Sequence, residues 1–178
     1  MRAHSRLGFN LRLTSDEIIQ LRNEYVSDKK EMAREEAAFA AGRKIAAGDF
    51  SRVNLMPIIR WKSSRPTGLV GSNLDEDISD ALRLAVDAKT PRSAVSVLCG
   101  LWGIDVSVAS AILATIDPDR YTVIDVRALE TLGVRKQSPT TDDYLDYLAF
   151  CHASRAAHGV TLRNLDRALW QKSKNASR

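Results

Sequence analysis

Apolar residues recur every three or four positions along most of this chain, with polar and charged residues between them. In 74–88 the spaced residues are Ile78, Leu82 and Val86, and 162–170 repeats the same kind of spacing. Such spacing places the apolar side chains on one face of an amphipathic helix. The pattern therefore predicts an all-α protein.

Capping and turn residues mark several of the predicted helix boundaries. Thr14 and Glu17 have the spacing of a capping box and open the first helix. Thr90 and Pro91 form an N-cap and first-turn pair for a later helix. Between these helices, the segment 68–73 contains Gly, Ser and Asn and is expected to be a loop.

Two further predictions depend on residues that disfavour the interior of a helix. The segment 28–47 is rich in Ala, Glu, Lys and Arg, which are strong helix formers, and we expect Gly42 and Gly48 to limit it. A short core helix is expected to begin near Asn54, which would place Pro57 in its first turn, where proline is tolerated.

The length and composition of the chain are consistent with one compact domain that binds a polyanion. The chain has 178 residues, with 26 Lys and Arg against 22 Asp and Glu, a net charge of +4. The only cysteines are Cys99 and Cys151, so we expect no disulfide framework and a cytoplasmic protein, nucleoid-associated if the source is bacterial. The sequence lacks an apolar run typical of a signal peptide or a membrane span, and no membrane contact is expected.

The segment 101–133 carries the most informative chemistry, and reads LWGIDVSVASAILATIDPDRYTVIDVRALETLG. It predicts two helices near 91–116 joined by a tight turn at Gly103, with small residues such as Ala109 that let helices approach closely. A turn of this kind presents backbone N–H groups at a helix N-terminus, which bind phosphate without reading base sequence. The segment then brings Asp125 to the start of another helix.

At these residues the chain resembles the helix-hairpin-helix (HhH-GPD) DNA glycosylase superfamily, with an endonuclease III-like core. The family hairpin reads roughly Leu-x-Gly-Val-Gly-x-x-x-Ala, and an aspartate follows in a Val/Ile-Asp-x-His/Arg context. The hairpin is matched by Leu101, Gly103, Ile104 and Ala109, and the aspartate context by Ile124-Asp125-Val126-Arg127. The separation between Ser107 and Asp125 equals that between the family's catalytic lysine and its aspartate.

The resemblance implies a fold and an activity. The fold is two-lobed and helical, a single domain over 1–178 in which helices in 14–62 and 138–175 flank a core at 74–133. The activity is that of a DNA glycosylase, which flips a modified, damaged or mismatched base out of double-stranded DNA and cleaves its N-glycosidic bond. Asp125 is the catalytic carboxylate that this resemblance implies. Local sequence alone also allows Asp125 to be an ordinary helix N-cap.

DNA contacts are expected from the hairpin and from nearby cations: Gly103, Ile104, Asp105, Ser107, Arg60, Lys62, Arg65 and Arg127. Trp61 is expected to stack on the flipped base or to fill the gap that the base leaves, although core packing is an equal alternative for a tryptophan. For Arg127, an internal ion pair with Asp105 or Glu130 is the alternative.

Two residues depart from the family pattern. Asp105 replaces the second hairpin glycine and is expected to cap the helix that begins at Val106. Ser107 replaces the lysine nucleophile, so we expect a monofunctional glycosylase. The alternatives are a non-catalytic DNA-binding module and a glycosylase/lyase whose nucleophile is Lys62.

No cofactor or metal ion is expected. Two cysteines cannot ligate the four-cysteine iron–sulfur cluster that several superfamily members carry. The histidines near the C-terminus lack partners at the spacing of metal ligands. We expect a monomer that binds double-stranded DNA.

Overall fold

The structure is a computed structural model that describes residues 7–177, and this range is helical, without β-strands. Ten α-helices follow one another in it: α1 (Ser15–Ser27), α2 (Lys29–Ala46), α3 (Arg52–Lys62), α4 (Thr67–Gly71), α5 (Asp75–Asp87), α6 (Pro91–Leu98), α7 (Val106–Ile116), α8 (Val126–Thr131), α9 (Thr141–His158) and α10 (Leu162–Ala176). The all-α prediction is confirmed. Within the described range, no helix is both long and apolar enough to cross a membrane.

The predicted helix starts at Thr14 and Thr90 are confirmed. Thr14 is the N-cap of α1 and forms the predicted capping box with Glu17. Thr90 caps α6, with Pro91 as its first residue. In each case a side-chain oxygen accepts a backbone N–H that has no partner inside the helix, so a few residues suffice to set where the helix begins.

Gly42 does not limit α2, contrary to the prediction, and only Gly48 follows the end of that helix. The helix continues through Gly42 because the glycine serves a contact with another helix. A Cβ atom at Gly42 would lie 2.3 Å from the carbonyl oxygen of Thr115 in α7. The missing side chain therefore lets α2 and α7 approach closely, which outweighs the low helix propensity of glycine.

The helix α3 begins at Arg52, earlier than predicted, so Pro57 lies in its second turn and the first-turn prediction is wrong. A proline at this position leaves the carbonyl group of Val53 without its helical N–H donor. Val53 is 79% exposed, and water can supply the missing hydrogen bond.

The predicted loop at 68–73 is also wrong, since most of it forms the short helix α4. The side chain of Val70 is fully buried in the core. Asn73 ends the turn that follows, where its amide donates to the carbonyl oxygen of Val70 at 3.0 Å. Burial of a single apolar side chain and a local polar cap thus override the loop signal of the two glycines.

The core is one contiguous cluster of buried apolar side chains that extends from Leu13 to Leu169. The helix α7 is buried over residues 108–115, and α2, α3 and α6 pack on it. The last helix, α10, packs along α1 and against α8. This arrangement brings the end of α3, the start of α8 and one face of α10 around a common cavity.

Candidate active site

The predicted turn at Gly103 lies in the segment that joins α6, which ends at Leu98, to α7, which begins at Val106. Gly103 has φ of +79°, and a Cβ atom there would lie 2.9 Å from the Cβ atom of Leu69. Both the backbone conformation and the close packing therefore require glycine. Asn73 holds the turn from outside, since it accepts from the backbone N–H of Trp102 at 2.8 Å and donates to its carbonyl oxygen at 3.0 Å.

Asp105 caps α7, as predicted. Its Oδ1 atom accepts the backbone N–H of Val108 at 2.8 Å. This hydrogen bond uses one of the N–H groups that a hairpin offers to a phosphate, and it places a carboxylate beside the remaining ones. The α7 N-terminus therefore attracts phosphate less than an uncapped helix end does.

Asp125 lies at the end of a buried extended segment and begins α8. The segment is held at Ile124, whose N–H donates to Ser110 Oγ at 3.0 Å, and at Thr122, whose carbonyl oxygen accepts from Tyr144 at 3.1 Å. Asp125 is the N-cap of α8, since its Oδ1 atom accepts the N–H of Arg127 at 2.8 Å. The hydrogen bonds of the segment before Asp125 and the N–H of Arg127 after it thus fix the position of the carboxylate.

The other carboxylate oxygen of Asp125 binds Lys62, which comes from the end of α3. The distance from Lys62 Nζ to Asp125 Oδ2 is 2.6 Å, and the two side chains are 11% and 23% exposed. Burial alone would raise the pKa of Asp125, but the charge and hydrogen bond of Lys62 and the N–H of Arg127 outweigh it and lower the pKa. Asp125 is therefore ionised at neutral pH although it is half-buried.

The ion pair of Lys62 and Asp125 lines two open cavities. The first has a volume of about 890 Å³, and the rings of Tyr25, Trp61 and Trp170 line it. We call it the aromatic cavity. The second, of about 1010 Å³, is lined by residues of the turn and of α7, and we call it the hairpin cavity. The aromatic walls of the first cavity suit a flat heterocycle, and its charged and polar lining residues offer partners for the polar edges of such a ring. The hairpin cavity offers mainly polar surface.

The structure brings the sequence-predicted residues to these two cavities. Arg60, Trp61 and Arg65 line the aromatic cavity, and the hairpin cavity is lined by Gly103, Ile104, Asp105, Ser107, Arg65 and Arg127. Trp61 is half-buried and packs edge-on against Phe39, with ring centroids 5.7 Å apart. It is a wall of the cavity and does not project from the surface.

Arg127 adopts neither of the two internal ion pairs considered for it. Within residues 7–177, its guanidinium group lies over the ring of Trp170, 5.5 Å from the centroid, and forms a long hydrogen bond of 3.4 Å to Ser177. Glu130 accepts instead from Ser173 at 2.7 Å. The cation is half-buried and lines the hairpin cavity.

Sequence reasoning missed a cluster of buried charges next to the aromatic cavity. Arg163 of α10 binds both Glu35 of α2 and Asp166 of its own helix, and Arg167 also binds Glu35. Burial would raise the pKa of Glu35, but the two guanidinium groups lower it to about 2. Arg163 also lies over the ring of Trp61, 5.1 Å from the centroid, so the cluster supports the cavity wall.

One signal for this cluster was present in the sequence. Asp166 follows Leu162 by one helical turn and precedes Leu169, so it occupies the apolar face of the final helix. A carboxylate there requires a buried partner. The remote partner Glu35 has no comparable local signal, because nothing along the chain links it to α10.

Comparison of the chain with family models, with curated proteins and with solved structures found no match in any of the three. Its function is therefore inferred from the residues and geometry of the two cavities.

Proposed function

We propose that the protein is a DNA N-glycosylase that flips a modified, damaged or mismatched base out of the duplex and hydrolyses its N-glycosidic bond. The observation that carries this proposal is the position of Asp125, an ionised carboxylate between an aromatic cavity and a hairpin cavity. A flipped base needs a pocket, and its flanking phosphates need a separate grip. The helix-hairpin-helix pattern of the sequence supports the same assignment.

Asp125 would stabilise the sugar cation that develops as the N-glycosidic bond breaks. Its charge is pre-organised by Lys62 and by the N–H of Arg127, so it needs little rearrangement in the transition state. Each carboxylate oxygen accepts one hydrogen bond and keeps a further lone pair. One of these lone pairs would orient the water molecule that attacks the sugar.

The two cavities divide the recognition of the nucleotide. The rings of Tyr25, Trp61 and Trp170 would contact the faces and edges of the base. Backbone N–H groups of the turn, together with Arg65 and Arg127, would contact phosphates without reading sequence. Because Asp105 caps α7 and opposes an anion there, the arginines supply most of the attraction in this proposal.

The test is a panel of duplexes with modified or mismatched bases, in which base release and strand cleavage are measured under single-turnover conditions. Asp125→Asn keeps the capping oxygen and removes the charge, so base release is expected to fall about 10²-fold or more. Asp28→Asn is the matched control, because Asp28 also caps a helix and pairs with a lysine, but lies outside both cavities. Full activity of Asp125→Asn, or no base release by the wild type, would overturn the proposal.

A second candidate, a glycosylase with lyase activity, is favoured by the position of Lys62 beside Asp125. Lys62 lines both cavities beside Asp125, where an amine could attack the sugar. In the ion pair, however, Lys62 is an ammonium group, and nucleophilic attack requires the neutral amine. We therefore expect no covalent adduct when the protein and an abasic duplex are treated with borohydride. An adduct that Lys62→Met abolishes would replace the first candidate with the second.

A further inference from the structure

Besides Asp125, two carboxylates line the aromatic cavity, the partly exposed Glu31 and the buried Asp166, and the proposed mechanism uses neither of them. Asp166 of α10 lines the same cavity as Asp125 and is only 5% exposed. Among residues 7–177 its carboxylate is hydrogen-bonded by Arg163 alone. A buried aspartate that lines a ligand cavity is costly unless it has a role there, since an apolar residue of similar size would pack without desolvation of a charge.

The surroundings of Asp166 make its neutral form more accessible than that of an ordinary aspartate. Arg163 shares its charge with Glu35, and two carboxylates, Glu35 and Asp125, repel a further negative charge. Burial is the largest influence, and it raises the pKa of Asp166 to about 6 against the opposing charges of Arg163 and Lys62. The titratable and charged groups that face it are Arg163, Glu35, Asp125, Lys62, Tyr25, Tyr144, Tyr147 and Cys151.

We propose that Asp166 is the general acid of this site, which protonates the departing base while Asp125 stabilises the sugar. The inference rests on the proposed glycosylase function and deepens it. As the N-glycosidic bond breaks, its electron pair goes to the base, and the proton of Asp166 neutralises the negative charge that results. Water then adds to the sugar cation and loses a proton to solvent, and solvent returns a proton to Asp166.

This role specifies the chemical class of the substrate. A base that is uncharged in the duplex leaves as an anion unless an acid protonates it. A base that already carries a positive charge, such as 7-methylguanine, leaves neutral without any acid. Asp166 is therefore useful only for bases that are uncharged in DNA, and we infer that these are the substrates.

The experiment measures single-turnover base release by the full chain from about pH 5 to about pH 8. The probes are duplexes with uncharged modified bases and one duplex with 7-methylguanine. For uncharged bases the wild-type rate is expected to fall about tenfold per pH unit above the titration of Asp166, because only the protonated acid is active. The rate of 7-methylguanine release, if it occurs, should not show this decline with rising pH, which we call the alkaline limb.

Asp166→Asn should remove the pH-dependent limb and slow the release of uncharged bases by about 10²-fold or more, with no such loss for 7-methylguanine. Asp166→Glu should restore part of the limb, which a purely structural role for Asp166 does not predict. If Asp166→Asn does not fold, the wild-type pH profile alone decides. A flat profile for uncharged bases, or release of 7-methylguanine only, would overturn the assignment of Asp166 while leaving the glycosylase function intact. No release of any base would overturn both.

Discussion

Lys62→Met is expected to destabilise the protein, because it leaves the carboxylate of Asp125 half-buried without its cation. Removal of one partner from a fully buried ion pair costs about 3–5 kcal/mol. Asp125 keeps 23% of its side-chain exposure and the N–H of Arg127, so water and backbone compensate in part. We expect the free energy of unfolding to fall by about 1–3 kcal/mol. Methionine preserves the apolar packing of the lysine stem.

The same substitution should change the pH dependence of base release. In the wild type, burial would raise the pKa of Asp125, and Lys62 makes the largest contribution that lowers it. Without Lys62 the pKa rises, so the ionised carboxylate and the activity are lost at a higher pH as the solution is acidified. The free energy of unfolding also depends on the pKa of Asp125. The lowered pKa of wild-type Asp125 stabilises the fold above the ordinary pKa of aspartate, and this contribution disappears as the pH falls through the lowered value.

Urea unfolding of Lys62→Met, Asp125→Asn and the double variant is the measurement. The double variant should recover much of the lost stability, because neither charge then remains buried alone. Lys174→Met is the matched control, since Lys174 pairs with the N-cap Asp28 at 3.3 Å outside both cavities, where such a pair contributes about 0–1 kcal/mol. If Lys62→Met costs no more than this control and leaves the pH profile unchanged, the ion pair does not hold Asp125 and the reasoning is refuted.

Three further substitutions, one of them with a matched control, test the fold and the hairpin. Gly103→Val should weaken salt-sensitive duplex binding and lower stability, whereas Gly133→Ala, at the same φ of +79° but with open space around it, should show backbone strain alone. Equal duplex affinity of Gly103→Val and wild type would exclude the hairpin as a DNA contact. Gly42→Ala should cost several kcal/mol in urea unfolding, because its Cβ meets the α7 backbone, and a cost below about 1 kcal/mol would contradict the close approach. Glu35→Gln should remove about 3 kcal/mol of stability at neutral pH, because the pKa of Glu35 lies at about 2 instead of 4.5, and the difference from wild type should vanish as the pH falls through that interval.

The parts of the fold that could be predicted from the sequence depend on neighbouring residues. The capping box of Thr14 and the Thr90–Pro91 pair set helix starts through hydrogen bonds within one turn. The effect of Gly42 was predicted wrongly because it depends on the helix that lies opposite it, and the position of Pro57 was predicted wrongly because α3 begins at Arg52, earlier than expected. The backbone of α7 lies opposite Gly42, and Val53, whose carbonyl group loses its helical N–H donor at Pro57, is an exposed residue.

In the candidate site too, locally encoded features could be predicted and contacts between distant residues could not. The turn at Gly103 and the N-cap role of Asp125 were accessible because each is encoded within a few residues. The contact between Lys62 and Asp125 was not, since 63 positions separate them and only the tertiary fold brings the end of α3 to the start of α8. Glu35 is even farther along the chain from its partners Arg163 and Arg167. The sequence contained one signal for this cluster, the polar residue Asp166 on the apolar face of the last helix.

Two of the carboxylates that line the aromatic cavity, Asp125 and Asp166, acquire opposite protonation states from their surroundings. Asp125 has a cation and a backbone N–H on its oxygens, which lower its pKa despite burial. Burial and the two nearby carboxylates, Glu35 and Asp125, raise the pKa of Asp166 to about 6 against the opposing charges of Arg163 and Lys62. A pair of acids whose pKa values are driven apart can supply a base form and an acid form at one pH. The proposed active state, with Asp125 ionised and Asp166 protonated, therefore exists above the pKa of Asp125 and declines above about pH 6. Base release should be fastest on the acidic side of neutrality, with the alkaline limb removed by Asp166→Asn and the acidic limb moved upward by Lys62→Met.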